Sequence, residues 1–350
     1  MTHDSYESLG YPNSIRRFTY KKYWIRKRYE MGNLWRRFRN FFPRRRLRRV
    51  YERTAPTFLD SADVPYATTS MLCRQDFFQQ PFFRYWYDWI SDDWQRYLND
   101  SDFGKLWQRN ADEIVYHRKL WEFVYIIHSL FERRFLTNHK RGLGFAVGME
   151  PLPALFARWG CDILATDLES EKAEESWGAT GQHCHDDLAV LNRSGICPPE
   201  QFARSVAYRN VDMNAIPDDL NGFDFCWSSC AFEHLGSIEN GLTFVKNAMK
   251  TLKPGGIAVH TTEFNLSSNT KTIDHESNFV IFRRCDIERL IRELEDEGHQ
   301  VEPIDLFAGR GVVDKFVDLW PYFRKGMHLK LLLCDYVTTS LGLIIRKGER

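Results

Sequence analysis

Residues 141–167, RGLGFAVGMEPLPALFARWGCDILATD, limit what this chain can fold into more than any other stretch. A short apolar run leads into a turn of small residues, Gly144-Phe145-Ala146-Val147-Gly148, and a helical pattern follows. A second apolar run from Cys161 then ends on Asp167. Small residues let a ligand approach the backbone, and a helix that begins beyond them offers unpaired N–H groups. A carboxylate about 20 residues after the turn, closing the next strand, suits a pair of ribose hydroxyls. The stretch reads as a strand–helix–strand unit holding a nucleotide-type cofactor at the edge of a parallel sheet.

The chain beyond it keeps alternating. Residues 206–211 read as a strand ending near Asp212, and Phe223 to Ser229 as a buried strand. A helix follows over 238–252, and Lys253-Pro254-Gly255-Gly256 stops it, since proline cannot continue a helix and glycine supplies the reversal. Residues 257–262 are the next strand, 286–298 an amphipathic helix, and 301–307 and 338–346 two further strands. Strands alternating with helices predict an α/β fold with a doubly wound, mostly parallel sheet.

Four features in this order resemble the class I S-adenosylmethionine-dependent methyltransferases, over roughly residues 143–347. They are the small-residue turn with Asp167, the acid of Val211-Asp212-Met213, the strand running into Ser228-Ser229-Cys230-Ala231-Phe232-Glu233-His234-Leu235, and the Leu252-Lys253-Pro254-Gly255-Gly256 turn. The resemblance implies a Rossmann-like domain and S-adenosyl-L-methionine as cofactor. It implies that Gly144, Ala146 and Gly148 admit the cofactor to the backbone and that Asp167 binds the ribose. Asp212 and Met213 would contact the adenine, and Ser228 and Ser229 would lie near the methionine portion. The alternative role for either aspartate is a turn or helix cap.

Two positions depart from the family pattern. Ala146 replaces the middle glycine of the turn. Gly142 stands where the family usually carries an acid that holds the cofactor's amino-acid end, and Glu150 is the residue placed to supply that charge. For the chemistry, His234 follows the fourth strand of the pattern and suits a general base, with a helix-capping role as its alternative. Glu263 ends the next strand, where ligands of such sheets bind, and could orient a hydroxyl or act as base. His260 reads as an interior histidine. No metal is expected: His183-Cys184-His185-Asp186-Asp187 has ligand residue types without a zinc spacing.

Upstream the composition changes. Residues 16–53 carry sixteen lysines and arginines against Glu30 and Glu52, so the formal net charge of +1 conceals a basic arm. Tyr20, Trp24, Met31, Leu34, Trp35 and Phe38 interleave with these charges, much of the spacing being helical. Three readings compete for the arm: an amphipathic helix on an anionic membrane surface, a nucleic-acid clamp, or a segment docked on its own protein. Residues 54–140 read as a helical, aromatic-rich cap whose aromatics are mostly core, and 141–350 as the cofactor-binding catalytic domain. The insert at 308–329, with Trp320-Pro321-Tyr322, reads as part of a substrate lid or as a packed connection.

The expected function is methyl transfer to a hydroxyl of a small molecule or glycan, a lipid-linked saccharide included if the arm binds membrane. An RNA methyltransferase is the second reading and a non-catalytic cofactor-binding protein the third. Eight cysteines without a CxxC pair, and no long apolar run, point to a reducing cytoplasm, with peripheral attachment to the inner face of a membrane as the further option.

Overall fold

The computed structural model describes residues 68–100, 115–169, 188–275, 279–320, 322 and 326–349. The expected arm and the His183–Asp187 cluster lie outside the described residues. In chain order the elements are β1 (Ser70–Leu72), α1 (Gln75–Phe78), α2 (Pro81–Asp100), β2 (Tyr116–His117), α3 (Arg118–Glu132), β3 (Arg141–Phe145), α4 (Leu152–Arg158) and β4 (Asp162–Asp167). Then come α5 (Pro199–Ser205), β5 (Val206–Asn210), β6 (Phe223–Ser229), α6 (Ile238–Lys250), β7 (Leu252–Asn265) and α7 (Arg284–Asp296). The chain closes with β8 (Gln300–Val301), β9 (Ile304–Asp305), β10 (Val317–Asp318), β11 (Met327–His328), β12 (Lys330–Leu333) and β13 (Tyr336–Arg346).

The main sheet runs β10-β12-β13-β7-β6-β3-β4-β5. The five strands from β5 to β7 are mutually parallel, and β13 lies antiparallel against β7. From β3 the chain winds outward through β4 to β5, then returns across β3 to β6 and β7. The crevice at the carboxyl ends of β3 and β6 is therefore where such a sheet opens to a ligand.

Packing explains why β3 is built of small residues. A Cβ on Gly142 would lie 2.4 Å from the Phe225 ring, and one on Gly144 would lie 2.4 Å from Trp227 and 2.6 Å from Val147. Phe225 and Trp227 stand directly across from those glycines in the ladder and fill the space they leave. Phe156 of α4 closes the same face, edge-on to both rings. On this face the glycines make room for the sheet's own aromatics. Gly144→Ala should cost about 1–3 kcal/mol by overpacking, read as a lower denaturant midpoint at unchanged slope. An unchanged midpoint would mean that β6 shifts freely.

α3 is buried along almost its whole length, as its apolar composition predicts, and crosses β6, β7 and β13. Its Tyr125 ring occupies the space a side chain at Gly342 of β13 would take. The described part of residues 54–140 shares one core with the sheet, and β1 pairs directly with β13.

Two local expectations change. Residues 301–307 form two short strands rather than one, because Pro303 between them has no N–H for a ladder. The Lys253–Gly256 turn bulges within the start of β7, with Gly255 at φ +72° and the register to β6 broken there. No helix among the described residues is long and apolar enough to cross a membrane.

Candidate functional site

The loop leaving β3 is held by β4. Val147 N–H donates to the Thr166 carbonyl, and the Thr166 hydroxyl to the Gly144 carbonyl. The Asp167 carboxylate accepts from the Gly148 N–H at 3.0 Å and from the Leu168 N–H at 2.9 Å. These bonds hold Ala146 at φ +49° and Gly148 at φ +52°, both left-handed. For an alanine that conformation costs roughly 1–2 kcal/mol, a strain the surrounding hydrogen bonds sustain.

Glu150 follows, buried at the crevice. Its Oε1 accepts from the Trp227 indole N–H at 2.6 Å. Burial pushes its pKa up to about 8, against the smaller opposing effects of Trp227 and Lys119. Trp227 therefore packs over Gly144 and holds the carboxylate expected to replace the acid missing at Gly142. An acid at Gly142 would collide with Phe225, so the charge has to arrive from elsewhere.

The first turn of α3 supplies the opposite charges. The Lys119 amine lies 3.1 Å from the Ser229 carbonyl and 2.8 Å from the Glu122 carboxylate. Arg118 pairs with Glu263 at 2.8 Å, and also donates to Cys230 Sγ and the Ser340 hydroxyl, both at 3.3 Å. Ser229 and Ser340 hydroxyls donate to Glu122, whose pKa falls below its usual value because Lys119 and Arg118 outweigh a large burial effect. Arg118, Lys119 and Glu122 were not singled out from sequence. The signal was there: cations in the first turn of a helix oppose its dipole and so call for another reason.

Acids converge from the other side. Glu233 lies in a short 3-10 helix, Phe232–His234, and accepts from the Thr262 hydroxyl at 3.0 Å. Single oxygens of Glu233 and Glu263 and the Cys230 sulfur lie within 4.8 Å of one another. That inventory could ligate a divalent ion, but the Arg118 guanidinium already supplies positive charge to two of the three. Burial raises the pKa of both Glu233 and Glu263, with Arg118 opposing it at Glu263. Glu263 Oε1 and the neighbouring Thr338 hydroxyl are both buried, and that hydroxyl, like Arg118, opposes the effect of burial on the Glu263 pKa.

The remaining expected residues divide. Ser229 joins the cluster, whereas Ser228 faces the opposite side of the sheet, its hydroxyl 2.8 Å from His260 Nδ1. The Ser228 side chain is thus a core group, since successive residues of a strand point to opposite faces. Burial lowers the His260 pKa to about 3, as suits an interior histidine. Asp212 is half-buried and accepts from the Asn214 N–H at 2.8 Å, a turn-capping bond, while Met213 is buried beside it. Of the Glu233-His234 pair, the glutamate carries a carboxylate into the cluster, and His234 is half-buried at the end of the same turn.

Residues 143–260 match a family model described as a methyltransferase domain. No curated protein matches the chain. Among solved structures it is similar to the [4+2]-cyclase SpnF, at 16% identity over 81% of this chain and 98% of that one, with a TM-score of 0.43. It is also similar to a putative sarcosine dimethylglycine methyltransferase from Galdieria sulphuraria, at 15% identity over 75% and 99% with a TM-score of 0.39. The DhpI–SAH complex matches at 15% identity over 64% and 85%, with a TM-score of 0.37.

Proposed function

We propose that this chain, whose residues 143–260 match a methyltransferase-domain model, is a class I S-adenosylmethionine-dependent methyltransferase that methylates a hydroxyl of a small molecule or glycan. The observation that carries the choice of acceptor is the Glu263 carboxylate. It is buried at the end of β7, with one oxygen tied to Arg118 and the other beside the Thr338 hydroxyl. A carboxylate oxygen has more than one acceptor site, and a donor hydroxyl from a ligand would occupy the one Thr338 leaves.

The residues present suit the cofactor. Asp167 stands at the end of β4 for the ribose hydroxyls. Glu150 is a buried carboxylate beside an indole, ready for an ammonium, and Lys119 offers a carboxylate its amine. When bound, the cofactor supplies an electrophilic methyl group on a sulfonium.

The protein's part is positioning and proton transfer. Glu263 Oε1 would accept the acceptor's hydroxyl proton as the methyl group passes from sulfur to that oxygen: the O–H and S–CH3 bonds break, the O–CH3 bond forms, the sulfur leaves as a neutral thioether and the cluster gains the proton. Burial raises its pKa and so brings the carboxyl nearer to the range in which that exchange is easy, with Arg118 opposing the rise. His234, at the end of the neighbouring turn, is the second candidate base. Labelled cofactor incubated with fractionated cell extract tests the proposal. Label in a small-molecule or glycan fraction, stable as an ether, is the expected result; label in RNA or protein would overturn the choice of acceptor.

A further inference from the structure

β2 and β11 form their own two-stranded parallel ladder, with Met327 opposite Tyr116 and His328 opposite His117. A pair of two-residue strands has little stability of its own, but it brings two buried imidazoles together. The His117 ring lies 4.9 Å from that of His328 and 4.8 Å from Trp94, which meets it edge-on. Asp318 of β10 holds His328 in turn, Oδ2 to Nδ1 at 2.8 Å, with both residues buried. β10 is a strand of the main sheet, so the pair is anchored to the frame.

His117 is also the N-cap of α3. Its backbone is extended, φ −126° and ψ 127°, and its Nδ1 accepts from the Lys119 N–H at 3.0 Å. An Nδ1 that accepts must be unprotonated, and burial, with His328 and two cations nearby, keeps the ring neutral. The cap matters more here than in most helices. The turn it secures carries Arg118 and Lys119 against the positive end of the helix dipole, an arrangement that favours fraying.

We propose that His117 is a positioning residue for cofactor binding: by capping α3 it fixes how Lys119 and Arg118 enter the site, and the Asp318–His328 pair braces it. The insert at 308–329, expected as a lid or a packed connection, supplies this brace through Asp318 and His328. The inference rests on the reading of Lys119 as a cofactor contact. Wild-type affinity for S-adenosylmethionine is therefore measured first, by calorimetry. If the wild type does not bind, that reading falls.

Given binding, His117→Ala should weaken affinity about 10-fold, the scale of a lost cap that displaces a binding group. His117→Asn, whose amide oxygen also caps, should recover most of the loss. The double variant His117→Ala/Lys119→Met should bind no more weakly than Lys119→Met alone, because both changes remove one interaction. Asp318→Asn leaves the cap in place and loosens only its brace, so it should lose affinity by a smaller factor with unchanged circular dichroism. It also serves if His117→Ala fails to fold. Equal affinity of His117→Ala and wild type would overturn the proposal, as would failure of His117→Asn to recover binding or additive losses in the double variant.

Discussion

Glu150→Gln should make the ligand-free protein more stable at pH 8 while weakening S-adenosylmethionine binding by about 2–4 kcal/mol, the usual cost of removing one partner of a buried charge pair. Both effects follow from one carboxyl group. Burial lifts the Glu150 pKa from 4.5 to about 8 in the folded chain. Below pH 4.5 folded and unfolded states both hold the proton. Between 4.5 and 8 only the folded state holds it, so stability falls as pH rises through that window, by about 3 kcal/mol between pH 4.5 and 7. Glutamine does not titrate, and its amide oxygen can still accept from the Trp227 indole, so the variant escapes the decline. It cannot meet an ammonium with a charge. Wild-type binding at pH 7 should also release a proton, visible as heat that varies with the buffer's ionisation enthalpy, and the variant should release none. Affinity unchanged in the variant would remove Glu150 from the cofactor site.

Glu263→Gln should lower kcat by roughly 10²- to 10⁴-fold, the range of a general base, with cofactor affinity kept within a few-fold. Glutamine can still accept from Arg118, which limits the structural damage. The pH–rate profile separates a base from a scaffold. Wild-type kcat/KM should climb with pH to a plateau reached above the ordinary glutamate range, since burial raises this pKa. The variant should lose that limb. A profile and kcat like those of the wild type would leave His234 as the base to examine.

The sheet was legible because its central strands are apolar runs punctuated by glycine, proline and acids at strand ends. Glu150 and Asp167 could be proposed from sequence for a related reason, one lying just past the turn and the other closing the next strand about 20 residues on. The cations on α3 could not, since Arg118 and Lys119 meet Ser229, Cys230 and Glu263 across more than a hundred residues of chain. The packing role of Gly144 was not legible, because space for a ligand and space for Trp227 leave the same mark on a sequence. Ser228 and Ser229 looked alike as neighbours, and only the alternation of the strand separates a core hydroxyl from one at the site.

β13 lies between β7 and β12, pairs with β1, and brings Ser340 to Glu122 and Gly342 to Tyr125. A strand so late in the chain thus enters the interior of its sheet, and ribosomal synthesis must run almost to residue 346 before that gap can fill. Until then the carboxyl end of β7 lacks a neighbour on that side, and α3 lacks part of the surface it packs on. Pairings of such long sequence separation form slowly because loop closure must be met first. Assembly of the pocket wall is in this way tied to the pairing of β13 with β7.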